Sequence, residues 1–160
     1  GKTRFIGYSG DNAAAQWAVD SGYFDTLQTS FNLVDQNARR GLLAAAKAQN
    51  MGVIIKRPIA NGAWARAKSP SGYADQYWAR GQRMAALGQL PDAPANPIVL
   101  ALGFTMAHQE VDTAIVGTQN PDHLAANVEW MTTELPISPA TVAELYARFD
   151  ELGADWHQLG

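Results

Sequence analysis

Four short strand-like runs, each handing over to a helical stretch, constrain this chain more than any other feature of its sequence. Thr3–Tyr8, Thr26–Phe31, Val53–Lys56 and Thr113–Val116 have the length and the β-branched or aromatic content of strands. Helical periodicity or composition follows each one, at Asn12–Val19, Gln36–Asn50, Tyr73–Ala86 with Pro97–His108, and Pro121–Trp130. A last helix is expected over Pro139–Leu152, with Ser138 as its cap and Pro139 in its first turn. Strand and helix in strict alternation require parallel strands joined by right-handed crossovers. Two α/β architectures meet that requirement: a small open doubly wound sheet, or four of the eight units of a (β/α)8 barrel. In both, ligands sit at the C-terminal ends of the strands.

Those ends carry Tyr8-Ser9-Gly10-Asp11, Gln28-Thr29-Ser30, Lys56-Arg57-Pro58 and Gly117-Thr118-Gln119-Asn120. The set is rich in hydrogen-bonding groups and poor in paired acids and bases, which suits a ligand bearing an amide and a phosphate. The last joint is the most informative. Thr113–Val116 is a buried-strand run that Gly117 breaks, and Asn120, Pro121 and Asp122 then have the order of a helix start. Such a start directs free backbone N–H groups at whatever sits above the strand, which is an anion site. Spacing alone leaves this reading level with a plain strand–turn–helix joint that binds nothing.

Residues 61–96 differ in character, with Gly, Pro and Ser breakers and the aromatics Trp64, Tyr73, Tyr77 and Trp78. A connection of that length serves either as a cover for a ligand or as a surface excursion that its aromatics anchor to the core.

Composition removes several classes of function. A net charge of −3 without a basic run argues against a nucleic-acid surface. With no cysteine there is no disulfide, thiolate nucleophile or zinc–sulfur site. His108, His123 and His157 are too scattered for a local metal motif, so no metal site is assigned. No signal peptide or membrane-spanning run is read, and a cytoplasmic location is the expectation. The chain opens at Gly1-Lys2-Thr3 and reaches a strand almost at once, which reads as a cut in a longer protein.

Four segments in order resemble the second half of the aldo-keto reductase family. They are Gly1–Ser9, Leu27–Asn32, Val53–Gly62 and Asp112–Leu124, which together span most of the chain. The resemblance implies that residues 1–160 are one partial domain, strands five to eight of a TIM (β/α)8 barrel. It implies a parent that reduces aldehydes or ketones with NADP(H) or NAD(H). Ser9 stands where the family holds the nicotinamide carboxamide, and Gln28 where a Gln completes that clamp. Lys56 lies where many members stack a Tyr on the nicotinamide ring. Gly117 and Thr118 begin the segment that holds the adenosine 2′-phosphate, Gln119 continues it, and Asn127 matches an Asn near the adenine. His123 lies where NADPH-specific members often carry an Arg, so the choice between NADP and NAD is open.

Gly10 departs from the pattern, because it replaces an Asn that follows the Ser. The family's proton-donating Tyr and its Asp, Lys and His partners belong to the first four units, so no catalytic residue is assigned in this chain. Tyr8 alone among the tyrosines adjoins a strand end, and its ordinary role there is packing. A second reading is a free-standing half-barrel, without catalysis, that dimerises through its exposed edges. A third, a small doubly wound nucleotide binder, lacks a glycine-rich loop after its first strand. Partners are therefore a nicotinamide cofactor and a small carbonyl substrate in the intact protein, with no nucleic acid and no membrane.

Overall fold

The structure, a computed structural model, describes residues 1–160. Its strands are β1 (Gly7–Ser9), β2 (Thr26–Ser30), β3 (Gly52–Lys56) and β4 (Thr113–Ile115). They form one parallel sheet in the order β1-β2-β3-β4, so each strand lies beside its neighbour in sequence. The crossovers carry α1 (Asn12–Ser21), α2 (Leu42–Ala48), α3 (Asp75–Ala85) and α4 (Pro97–Met106). Two helices, α5 (Pro121–Thr133) and α6 (Pro139–Leu152), follow β4.

Alternation along the strands sorts side chains onto two faces. Leu27, Thr29, Val53 and Ile55 are fully buried against the helices. The opposite face carries register-matched rows. Ser9, Gln28, Ile54 and Thr113 form one, and Ser30, Lys56 and Ile115 lie above it. The helical side of the sheet holds a single core, with Phe31 and Phe104 stacked at 5.6 Å between ring centroids.

α4 is apolar around its whole circumference and is buried accordingly, from Val99 through Phe104. Asn96 caps it by accepting a hydrogen bond from Ile98 N–H at 2.9 Å, and Pro97 occupies its first turn. At Gly103 the helix lies against Leu135 and Ile137, and a Cβ there would overlap both side chains. Gly103→Ala should therefore destabilise the fold by about 1–2 kcal/mol in urea unfolding, since overpacking outweighs the better helix propensity of Ala.

Three element boundaries differ from the sequence expectation, each for a local reason. The first strand begins at Gly7 and not at Thr3. The Ile6 carbonyl accepts from Asp25 N–H at 2.8 Å, but its own N–H goes to the Asp25 carboxylate at 2.8 Å, and Phe5 and Ile6 are exposed. The expected helix Gln36–Asn50 is split into a 3-10 turn at Asn37–Arg40 and the short α2. Gly41 takes φ 144° between them, a conformation that glycine permits. The fully buried Gln36 side chain pulls the chain inward by donating to Leu33 O and Leu145 O. The segment Tyr73–Ala86 becomes a 3-10 turn at Gly72–Ala74 followed by α3.

The long connection is an anchored excursion in part. Tyr77 is buried, Trp64 and Trp78 pack on the core, and the Trp78 indole N–H donates to Arg66 O at 2.9 Å. Tyr73 stays exposed. No residue of α5 is buried, and Leu124, Val128 and Met131 on it face outward. Both outer strands of the sheet lack a partner on one side.

Candidate functional site

The C-terminal ends of β2, β3 and β4 open into one cleft of about 750 Å³. Its walls are Gln28 from β2, Lys56 to Ile59, Asn61, Gly62 and Arg66 at and after the end of β3, Ile115 to Thr118 at and after the end of β4, and one face of α5. That face presents His123, Asn127 and Trp130, spaced at i, i+4 and i+7 so that they stack along the helix.

At one end, Gln28 Nε2 donates to Ser9 Oγ at 3.2 Å. This contact leaves the Ser9 hydroxyl hydrogen and Gln28 Oε1 without a protein partner. One free donor beside one free acceptor matches the C=O and NH2 of a carboxamide.

Lys56 lies next to this pair, one row higher on the same face. Its Nζ meets Asp11 Oδ2 at 2.8 Å, and Arg57 Nη1 lies 3.8 Å from the same oxygen. Burial pushes the Asp11 carboxyl upward. The Lys56 ammonium, the Ser30 N–H at 2.7 Å and the Thr29 hydroxyl at 3.0 Å outweigh that push and hold it below the usual carboxylate range. Arg57 also donates to Ser30 Oγ at 2.5 Å and to the Tyr73 hydroxyl. Its guanidinium is held still more firmly protonated; burial alone would lower it, and the Tyr73 contact reverses that.

The far end is built from the turn after β3 and the start of α5. Arg57, Ala60 and Asn61 take φ of 60°, 49° and 55°, an unusual run of left-handed residues that curls the turn around the cleft. Asn61 Nδ2 is buried there without a hydrogen-bond partner. Arg66 donates its Nε to Gly62 O at 2.8 Å, which leaves both Nη groups without a protein acceptor. Asn120 caps α5 by accepting from Asp122 N–H at 2.9 Å, and Thr118 braces the turn through Asn120 N–H at 3.1 Å. Beside Gly117 the space where a Cβ would stand is empty. Lys56, Arg57 and Arg66 line the cleft and no carboxylate does, so the cavity is electropositive.

Six residues singled out in the sequence thus share one cleft: Gln28, Lys56, Gly117, Thr118, His123 and Asn127. Ser9 joins them through its bond to Gln28. Gln119 does not line the cleft, because the turn braced by Thr118 leaves its side chain exposed. Gly10 packs on the Tyr8 ring, which in turn lies 5.4 Å from Phe24 between centroids, so Tyr8 is a packing residue on the helical side. Sequence reasoning missed Arg57, Asn61 and Arg66 as members of the site. Arg57 was visible as a strand-end cation, whereas Arg66 was hidden in a segment with no periodicity.

Comparison with known proteins follows the same outline. The pattern of the aldo/keto reductase family matches residues 1–147. The structure is similar to AKR11C1, an aldo-keto reductase from Bacillus halodurans. With its apo form the TM-score is 0.69 at 17% identity, and with its holo form 0.66 at 16% identity. Each match covers 91% of this chain and 50% of that one, so the chain spans about half the length of these neighbours. No curated protein sequence matches.

Proposed function

The chain belongs to the aldo/keto reductase family, and from that premise we propose that it is the cofactor-holding half of a (β/α)8 barrel reductase. The whole protein reduces aldehydes or ketones in the cytoplasm with NADP(H) or NAD(H), and this chain alone supplies no general acid. The observation that carries this reading is the polarity of the cleft. An amide-matched pair stands at one end, and Arg57 and Arg66, the latter without an acidic partner, stand with a helix N-terminus at the other.

The residues fit the group. Ser9 and Gln28 offer the donor and acceptor that a nicotinamide carboxamide needs. The aliphatic stem of Lys56 offers a ring face beside them. Arg57, Arg66 and the orphaned Asn61 amide meet phosphate charge, and the positive end of the α5 dipole adds to their field. His123 and Asn127 stand where the adenosine end would lie. Bound there, the cofactor would supply a hydride, and the Ser9–Gln28 clamp would hold its carboxamide. The proton for the reduced oxygen comes from outside this chain.

No helix is long and apolar enough to cross a membrane. A second reading, a half-barrel that pairs with another copy, draws on the unpaired edges β1 and β4 and the outward apolar face of α5.

Fluorescence titration with NADPH and NADH, beside sedimentation for mass, tests both readings. Gln28→Ala should weaken binding by about 1–2 kcal/mol, the scale of a lost buried hydrogen bond. His123→Arg should raise preference for NADPH over NADH. An unchanged dissociation constant in Gln28→Ala, or no binding to a monodisperse chain, overturns the cofactor assignment. Micromolar binding by a species of twice the chain mass favours the paired half-barrel.

A further inference from the structure

We propose that Trp156–Gly160 is a strap that positions Lys56 in the cofactor cleft, with Gln158 acting as the positioning residue through Asp11. The proposal rests on the cofactor reading for its functional meaning, but not for its geometry. The strap lies over the C-terminal ends of β1 and β2, held by groups that are themselves buried. Leu159 N–H donates to the fully buried Asp35 at 2.8 Å, Arg80 donates to His157 O at 2.7 Å, and Tyr77 donates to Leu159 O at 3.1 Å.

Gln158, 4% exposed, is the residue that reaches from the strap to Asp11. Its Nε2 faces Asp11 Oδ1 at 3.1 Å, Thr29 Oγ1 at 2.9 Å and Ser30 O at 2.5 Å. Its Oε1 accepts from Asn12 N–H at 3.2 Å, and its own carbonyl accepts from the Asn12 amide at 3.1 Å. Asn12 takes φ 55° there, a left-handed conformation that Asn tolerates at the start of α1.

The division of labour on Asp11 is what couples strap to cleft. Oδ1 receives Ser30, Thr29 and Gln158, while Oδ2 faces Lys56 at 2.8 Å. The donors on one oxygen set the plane of the carboxylate, and the other oxygen then sets where the Lys56 ammonium stands. A side chain as long as lysine has many rotamers, and this contact selects one. Gln158 touches neither the cleft nor a ligand within it, so its effect on the cleft passes through Asp11.

The test reads Lys56 directly. The chain is pulse-labelled with an amine-acylating reagent at neutral pH, and the rate at each lysine is read by mass spectrometry. Lys2 and Lys68 are the internal references. Gln158→Met, which keeps the bulk of the side chain and removes its hydrogen bonds, should speed acylation of Lys56 threefold or more with the references unchanged. Asp11→Asn should do the same, and adding Gln158→Met to it should change nothing further, because the coupling runs through that carboxylate. Equal Lys56 rates in the parent chain and Gln158→Met overturn the proposal. So does an effect of Gln158→Met that persists in the Asp11→Asn background. NADPH protection of Lys56 is measured in the same experiment. If Lys56 responds to Gln158 but gains no protection at saturating NADPH, the cofactor reading fails and the strap coupling stands.

Discussion

Replacing Arg148 with Ala is expected to cost the fold about 3–5 kcal/mol, the combined scale of three backbone carbonyls that lose a charged donor and of a long buried stem. Arg148 is only 3% exposed, on α6. Its Nη1 donates to Met84 O and Gly88 O, both at 2.9 Å, and its Nη2 to Gln89 O at 3.0 Å. Nε donates to Glu144 Oε1 at 2.8 Å, one turn earlier on the same helix. The Glu144 pair alone would be worth a few tenths of a kcal/mol, since its acid is solvated. The three carbonyls decide the magnitude. They belong to the last turn of α3 and the chain leaving it, which α6 otherwise holds through Thr141 Oγ1, donating to Pro91 O at 2.6 Å. Truncation strands them and also removes a long buried stem. Arg148→Lys keeps the charge, but a single ammonium cannot serve the same acceptors in a planar fork, so most of the loss should remain. Urea unfolding of the three proteins checks this. A loss below about 1 kcal/mol for Arg148→Ala would mean that water satisfies the carbonyls as well as the guanidinium does.

The order of the elements was legible because its punctuation is local. Gly22 at φ 66°, Pro58, and the Asn-Pro starts of α4 and α5 mark ends that the chain obeys within a residue or two. The polar strand ends were legible for the same reason, since alternation tells which side chains share a face. What could not be read depends on partners far away in sequence. Asp35 looks like an ordinary loop polar and Gln36 like the exposed start of a helix, yet both are fully buried, and they meet Leu159 and Leu145 across more than 100 residues. The split of the helix at Gly41 follows from one of those contacts. Gly153–Gly160 shows no period and no motif, and its role depends on Gln158 finding Asp11 in space. Arg66 was invisible likewise, because a cation in an irregular segment reads as a solvated charge until the turn around Asn61 aims it into the cleft.

Asp35 should give the chain a stability that falls as pH rises from about 4 to about 7, by something on the order of 4 kcal/mol. Burial dominates its titration and pushes the carboxyl up to about 7 from 3.8, against the opposing pull of Leu159 N–H and Arg80. Burial lowers the Arg80 guanidinium from its ordinary value as well, though it keeps its charge throughout this window. The Asp11 charge adds to the upward push, and Arg57 works against it. The folded state therefore keeps a proton that the unfolded chain has already released. The contribution is complete below 3.8 and is lost as pH climbs through about 7. Asp11, Asp112 and Asp150 have lowered carboxyls, so their contributions are lost as pH falls below about 5 and leave the window above that flat. His108 works in the opposite sense. Burial lowers its imidazole below 6.5, so stability falls as the solution is made more acid than that value. The two slopes oppose each other in the parent chain, and Asp35→Asn removes only one. Urea unfolding from pH 4.5 to 8 should show the variant gaining on the parent steadily with pH, whatever the absolute cost of leaving Arg80 unpaired. Parallel profiles for the two proteins would show that Asp35 stays ionised throughout, and that Arg80 and Leu159 outweigh the burial of its charge.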